Sequence, residues 1–182
     1  MLPDPLIELF DARLAGLTGE DRDTDALERS EHMSVFVHAV QMEAMVMRTA
    51  MARFAQTNDL NLIDFQVLQS VVTLSDAGRT ATPGYISSML SMSASTLTSI
   101  LERLVARGLL TRERDSADRR RISIYYTQTS LELSQEFDRL LAAAYEPFFA
   151  RSSTEEIRDR TGFVQLMAES TQDLIDGLEA AD

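Results

Sequence analysis

The 182-residue chain has no cysteine, and this absence excludes several kinds of site at once. Disulfides, thiolate metal ligands, a cysteine nucleophile and thiol-based redox sensing all require a sulfur that the chain does not have. Histidine is scarce as well, with His32 and His38 only. A metal site would have to be built from carboxylates, and we predict neither a metal nor a cofactor.

Long apolar runs are also missing. No run approaches the roughly 18 apolar residues that a membrane-spanning helix needs, and the N-terminal Met-Leu-Pro-Asp-Pro lacks the regions of a signal peptide. We therefore expect a cytoplasmic protein without a membrane partner. The sequence contains no Gly-rich phosphate loop, no Gly-x-Ser-x-Gly elbow and no His-Glu-x-x-His pair. We predict that the protein is not an enzyme.

The chain has no lysine, so all 17 basic residues are arginines, and 29 acidic residues bring the net charge to −12. A negative protein is a poor match for nucleic acid, because phosphate binding depends on positive charge. The arginines are concentrated, however, and seven of them lie within residues 103–121 beside only three acidic residues. This segment indicates a polyanionic partner, or a solvated surface whose arginines pair with nearby acids.

Apolar periodicity divides the chain into four parts. Residues 1–29 are acidic and contain one short apolar helix around Leu6–Phe10. Residues 30–59 form one long helix with apolar residues on more than one face. Residues 60–127 contain shorter elements, and residues 128–182 are helical with a break near Pro147. The flanking helices carry more apolar surface than one subunit covers, which predicts a homodimer.

The elements of residues 60–127 follow the order helix, helix, tight turn, helix, hairpin. Thr82-Pro83 is typical of a helix start, and Gly108 of a left-handed helix end. Beyond Gly108 the apolar period changes from helical to alternating, which predicts two strands joined by a turn at residues 115–118. We predict a mainly α fold, a winged helix-turn-helix with long N- and C-terminal dimerisation helices and one β-hairpin wing.

Two segments carry a resemblance to a known family. They are Ser93-Ala-Ser-Thr-Leu-Thr-Ser-Ile-Leu-Glu-Arg-Leu-Val-Ala-Arg-Gly-Leu-Leu110 and Arg114-Asp-Ser-Ala-Asp-Arg-Arg120, and they are similar to the MarR family of bacterial transcriptional regulators. The resemblance covers residues 30–180 in helix order and residues 60–127 in motifs. It implies a homodimer that binds double-stranded DNA at a pseudo-palindromic operator and usually represses transcription. It also implies a small aromatic or lipophilic effector.

The predicted recognition helix begins after Ser93, the expected cap. Ser95, Thr96 and Ser99 are the candidate DNA contacts, because hydroxyls bond phosphates and base edges with little discrimination. Good capping alone would explain such a helix start equally well. The family resemblance implies arginines in this helix, whereas this chain has Ala94 and Ser99. Either the operator differs or the affinity is modest.

The family resemblance also implies roles in the wing. Arg120 corresponds to an arginine that enters the minor groove, and Asp118 to the acid that holds it in place. Arginine suits a narrow and strongly negative groove. The remaining arginines are predicted phosphate contacts or solvated charges: Arg112, Arg114, Arg119 and Arg121.

An effector pocket is predicted between the long helix and the DNA-binding core, and its candidate residues are His38, Met42, Met45 and Phe65. Thioethers adapt to varied ligands, yet they also fill gaps in cores. His38 could bond an acidic effector or satisfy a neighbour. An alternative to DNA binding is a winged-helix protein-interaction module that has lost DNA binding, which the negative charge favours and the Asp118-Arg119-Arg120 wing opposes.

Overall fold

A computed structural model describes residues 25–114 and 122–179. These ranges contain six helices and one two-stranded antiparallel sheet, as follows: α1 Asp25–Thr57, α2 Leu62–Asp76, α3 Pro83–Met89, α4 Ala94–Ala106, β1 Leu110–Arg114, β2 Ile122–Tyr126, α5 Gln128–Phe149 and α6 Thr154–Glu179. The predicted mainly α, winged helix-turn-helix fold is confirmed. The predicted helix around Leu6–Phe10 and the hairpin turn lie outside the described residues.

Each of the first four helices ends in the same way, with one residue in the left-handed region after its C-cap. These residues are Asp59, Gly78, Ser91 and Gly108, with φ of 56°, 68°, 47° and 70°. At the end of α4, the Leu109 N–H donates to the Leu104 carbonyl and the Gly108 N–H to the Val105 carbonyl, each at 2.9 Å. This pair of bonds defines a Schellman motif, which satisfies carbonyls that the helix leaves free. The predicted left-handed stop at Gly108 is confirmed.

Polar side chains cap the N-termini of α2 and α3. The hydroxyl of Thr82 accepts a hydrogen bond from the Tyr85 N–H, and Pro83 occupies the first turn of α3, as the sequence predicts. Asn61 caps α2 in the same manner by accepting from the Asp64 N–H at 2.8 Å. Because these contacts span three residues, they are determined locally.

One hydrophobic core organises the residues up to Gln128, which form the first of two compact units. Its largest fully buried side chains come from α2, α3, α4 and the sheet: Phe65, Leu68, Ile86, Leu97, Leu101, Leu104, Leu110 and Ile124. Burial of each such side chain is worth about 1.5–3 kcal/mol of transfer free energy. This core therefore fixes α4 against the remainder of the first unit.

The hairpin pairs Leu110 with Tyr126 and Arg114 with Ile122. The alternating pattern predicts a first strand over Leu109–Arg112, whereas β1 begins one residue later and extends two residues further. Ile124 also bridges to Ala81, whose carbonyl accepts from the Ile124 N–H at 2.8 Å. This bridge attaches the hairpin to the segment before α3.

The second unit comprises Thr129–Asp182, so α5 starts at its border. The predicted break near Pro147 is displaced, because α5 continues through this proline to Phe149. Pro147 removes one backbone hydrogen bond from the end of α5, and the helix ends two residues after it. At the start of α6, the Ser153 hydroxyl accepts from the Glu156 N–H at 3.2 Å, and Glu156 Oε2 accepts from the Ser153 N–H at 2.7 Å. The segment Ser153-Thr154-Glu155-Glu156 has the sequence pattern of a capping box, and these two bonds confirm it.

Across the residues that the structure describes, no helix is both long enough and apolar enough to span a bilayer.

Candidate nucleic-acid interface

The turn before α4 positions this helix. Ser87 Oγ donates to the Met92 carbonyl at 2.5 Å, and Ser91 adopts a left-handed conformation between them. α4 then buries Leu97, Ile100, Leu101 and Leu104 on one face. These apolar residues hold α4 to the core, so its opposite face points away from the core of the first unit.

The outward face of α4 carries Ser95, Ser99, Glu102 and Ala106, which follow one another at steps of four, three and four residues. These steps place side chains on one line along a helix. All four residues are exposed. The structure thus presents Ser95 and Ser99, two of the predicted DNA contacts, on a surface that a DNA groove could reach.

Three hydroxyls meet at the start of α4. Ser93 Oγ accepts from the Thr96 N–H at 3.1 Å, which confirms Ser93 as the cap. The same oxygen lies 3.0 Å from Ser95 Oγ and 2.8 Å from Thr96 Oγ1. The structure brings together Ser93, Ser95 and Thr96 as one exposed cluster.

Two further hydroxyls on α4 bond to the backbone of their own helix. Thr98 Oγ1 donates to the Ala94 carbonyl at 2.8 Å, and Ser99 Oγ donates to the Ser95 carbonyl at 3.3 Å. Such bonds four residues back use the hydroxyl proton and leave the oxygen lone pairs exposed. Ser99 therefore presents mainly an acceptor.

Arg103 has a structural role within the first unit. Its Nε donates to Asp64 Oδ2 at 3.1 Å, and its Nη2 donates to Asp64 Oδ1. The Asp64 side chain is 3% exposed and the Arg103 side chain 45%. Hydrogen bonding to Asp64 raises the pKa of the Arg103 guanidinium above its ordinary value, against a smaller opposing effect of burial. This two-point contact fastens α4 to α2.

Two more arginines of the positively charged segment have partners within the first unit. Arg107 Nη1 donates to the Asp59 carbonyl at 2.5 Å, which braces the left-handed turn after α1. Arg112 Nη2 donates to the Thr98 carbonyl at 3.4 Å, and the Arg112 side chain is exposed. Part of the positive charge counted in residues 103–121 therefore stabilises the fold.

The other wing candidates are not described. Arg114 ends β1, but its side chain lies outside the described residues. Asp118, Arg119, Arg120 and Arg121 belong to the segment that the structure does not describe.

The four effector-pocket candidates differ in exposure. His38 and Met45 are exposed on α1, and Met42 is half-buried there. Phe65 is fully buried in α2, with its ring 5.2 Å from that of Phe54 between centroids. Because no surface of Phe65 is accessible, this side chain belongs to the core of the first unit. Within the described ranges, no group of three His, Asp or Glu side chains is arranged to hold a metal ion.

Sequence reasoning missed Asp64 and Glu102. Asp64 stands within the apolar stretch of α2, and an acid in such a stretch signals a buried ion pair. Glu102 lies three residues after Ser99, and helical spacing alone would have placed it on the same face.

Residues 58–121 match the sequence profile of the MarR family. Residues 58–121 therefore resemble the winged helix of the MarR family, and the predicted resemblance is confirmed for this segment.

MarR-type structures share the fold at low sequence identity. A MepR mutant from a multidrug-resistant S. aureus clinical isolate is 18% identical with a TM-score of 0.66, covering 75% of this chain and 96% of that one. Streptococcus pneumoniae FabT in complex with DNA is 19% identical with a TM-score of 0.60, covering 80% and 99%. E. coli MarR in its apo form is 18% identical with a TM-score of 0.54, covering 71% and 93%. No curated protein matches the chain.

Proposed function

We propose that the protein is a cytoplasmic, homodimeric transcriptional regulator that binds double-stranded DNA and represses its target genes until a small-molecule effector releases it. The observation that carries this proposal is α4, a MarR-family recognition helix that buries its apolar stripe and presents the Ser95 and Ser99 hydroxyls outward. Among proteins of this fold, FabT was solved in complex with DNA. Exposed hydroxyl oxygens at the start of a helix are suited to the donor groups on base edges.

A homodimer is supported by the apolar surface of α6. Its exposed apolar side chains are Phe163, Val164, Leu166, Leu174, Ile175 and Leu178. Monomeric proteins seldom expose so many apolar side chains along one helix, and a second copy would remove them from water. Since two-fold symmetric proteins bind symmetric sites, we propose a pseudo-palindromic operator.

The wing supplies the positive charge in this proposal. Arg120 enters the minor groove and Asp118 orients it, as the family resemblance implies. Arg114, Arg119 and Arg121 contact phosphates in this proposal. Such contacts position the protein but carry no sequence information.

The effector site is proposed on α1. His38, Met42 and Met45 follow one another at steps of four and three residues and therefore share one face of this helix. Flexible thioethers beside an imidazole suit an apolar ligand with an acidic group.

The direct test is a titration of duplex DNA at several salt concentrations, after selection of a preferred site from random duplexes. We expect the logarithm of the affinity to fall linearly with the logarithm of the salt concentration. Arg120→Ala should cost about 1–3 kcal/mol of binding free energy. Asp118→Ala should cause part of this loss. Arg158→Ala, at an exposed position of α6, removes the same charge elsewhere and serves as the control.

The rival proposal is a winged-helix protein-interaction module without DNA binding. The line of Ser95, Ser99, Glu102 and Ala106 on α4 carries no cation, and this and the net charge of −12 favour the rival. Absence of a salt-dependent complex with any duplex would support this rival. Equal affinities for Arg120→Ala, Asp118→Ala and the parent would show that the wing does not contribute to DNA binding.

A further inference from the structure

The outward face of α4 contains one charge, and it is negative. Glu102 lies on the line of Ser95 and Ser99 and is exposed. Among the described residues, no arginine forms an ion pair with it; Arg103, its neighbour in sequence, is committed to Asp64. A carboxylate on a surface that faces DNA costs affinity through repulsion of the phosphates, unless it receives a specific hydrogen bond.

Few of the hydroxyl protons on this side of α4 are free to be donated in a hydrogen bond. Two contacts join the Ser93, Ser95 and Thr96 hydroxyls, and each contact uses one proton. The hydroxyl protons of Thr98 and Ser99 are bonded to the backbone. Of five hydroxyl protons, one remains free, whereas most of the oxygen lone pairs are unused, and Glu102 adds acceptors only. The face of α4 is therefore an acceptor surface.

An acceptor surface discriminates among bases in the major groove. Guanine presents the acceptors N7 and O6 there, so it requires donors of the arginine or lysine type. Cytosine presents the donor N4–H₂ and no acceptor of its own. Adenine offers N6–H₂ but places the acceptor N7 beside it, which repels a carboxylate. Cytosine is thus the base that best matches an outward glutamate.

We propose that Glu102 is a specificity-determining residue that accepts a hydrogen bond from the N4 amino group of a cytosine in each operator half-site. The proposal depends on the proposed function, since it requires α4 to lie in the major groove. Glu102 lowers general affinity for DNA and restores it at sites that carry this cytosine. Arg103 supports this role by fastening α4 to α2.

The test is binding-site selection with the parent, Glu102→Gln and Glu102→Ala. The control is Glu169→Gln, which removes one exposed charge from α6. We expect the parent to prefer cytosine at one position per half-site by roughly fivefold or more, since a good base contact discriminates by at least about 1 kcal/mol. Glu102→Ala should lose this preference, whereas Glu102→Gln retains one acceptor oxygen and should keep part of it, and both variants should bind scrambled DNA more tightly than the parent. Glu169→Gln should retain the preference.

A base analogue isolates the proposed contact. Replacing the selected cytosine by 2-pyrimidinone, which lacks only the 4-amino group, should weaken the parent roughly fivefold and leave Glu102→Ala unchanged. If the parent loses nothing with the analogue, or if Glu102→Ala loses as much as the parent, the proposal is wrong. Failure of the parent to bind any duplex would instead overturn the proposed function. The circular dichroism spectra of the variants should match that of the parent, which would show that a change in DNA binding does not come from an altered fold.

Discussion

The two units of the chain use their apolar residues in opposite ways. In the first unit most apolar side chains of α2, α4 and the hairpin are buried in one core that also includes Ile86 of α3, whereas α1 exposes some of its own, such as Met45. In the second unit Phe137 is buried, while most of the large apolar side chains along α6 are exposed, among them Leu166 and Leu174 at 62% and 61%. The first unit is therefore stabilised by its own hydrophobic core. The second unit exposes an apolar surface of the kind that mediates stable protein–protein association.

The two units also differ in their charged contacts. Arg103 and Arg107 of the first unit bond to groups 39 and 48 residues away in sequence, at Asp64 and Asp59. The hydrogen bonds described for α6 are local, such as the capping box of Ser153 and Glu156. Long-range polar contacts fix how elements pack, whereas local contacts only set where a helix begins.

The largest effect is expected in the core of the first unit. Leu104 is fully buried, so Leu104→Ala should lower the free energy of unfolding by about 2–5 kcal/mol through lost burial and a residual cavity. Urea unfolding followed by circular dichroism measures this loss. Leu104→Met preserves the volume and should cost less than about 1.5 kcal/mol. Equal midpoints for the parent and Leu104→Ala would contradict the assignment of the core.

The second-largest effect on stability is expected for the ion pair between α2 and α4. Arg103→Ala leaves the buried Asp64 carboxylate without its donors, which should cost about 1–3 kcal/mol of unfolding free energy, with the lower end favoured because Arg103 is nearly half exposed. Arg158→Ala should change the same urea midpoint little. A double variant that also carries Asp64→Asn should recover part of the loss, and additivity of the two changes would argue against a direct contact.

The apolar face of α6 is expected to govern association. Leu166→Asp should raise the dimer dissociation constant roughly tenfold or more, equivalent to about 1.4 kcal/mol, while the protomer keeps its helices. Sedimentation over a dilution series measures this constant. Glu169→Ala, at a polar position of the same helix, is the control. An unchanged constant for Leu166→Asp would place the subunit interface elsewhere.

The smallest effect is expected at the start of α6. The hydrogen bonds from the Ser153 backbone and side chain lower the pKa of Glu156 below its ordinary value of 4.5. A lowered pKa stabilises the folded state at pH values above 4.5, and this stabilisation disappears as the pH falls through the lowered value. Thermal unfolding between pH 6 and pH 3 should show the loss. Glu156→Gln, which retains an acceptor, should weaken this pH dependence, and an identical pH profile would contradict the capping role.

Most helix boundaries could be predicted from the sequence, because caps and apolar periods act over three or four residues. Thr82, Ser93 and Gly108 have the predicted roles. The left-handed turns at Asp59 and Ser91 were not predicted, since neither residue is glycine. Asp59 is braced in this turn by Arg107, a contact that depends on tertiary packing.

The winged-helix order, the MarR-family resemblance and the apolar stripe of α4 follow from the sequence alone, because each depends on residues close together along the chain. The contacts of Arg103, Arg107 and Arg112 follow from the tertiary structure and could not be predicted. Arg103 and Arg107 bind within the first unit, which leaves Glu102 as the one charge on the outward face of α4. The physical reason is that a long, flexible guanidinium side chain bonds to whichever acceptor folding brings within reach, and sequence separation does not encode that distance.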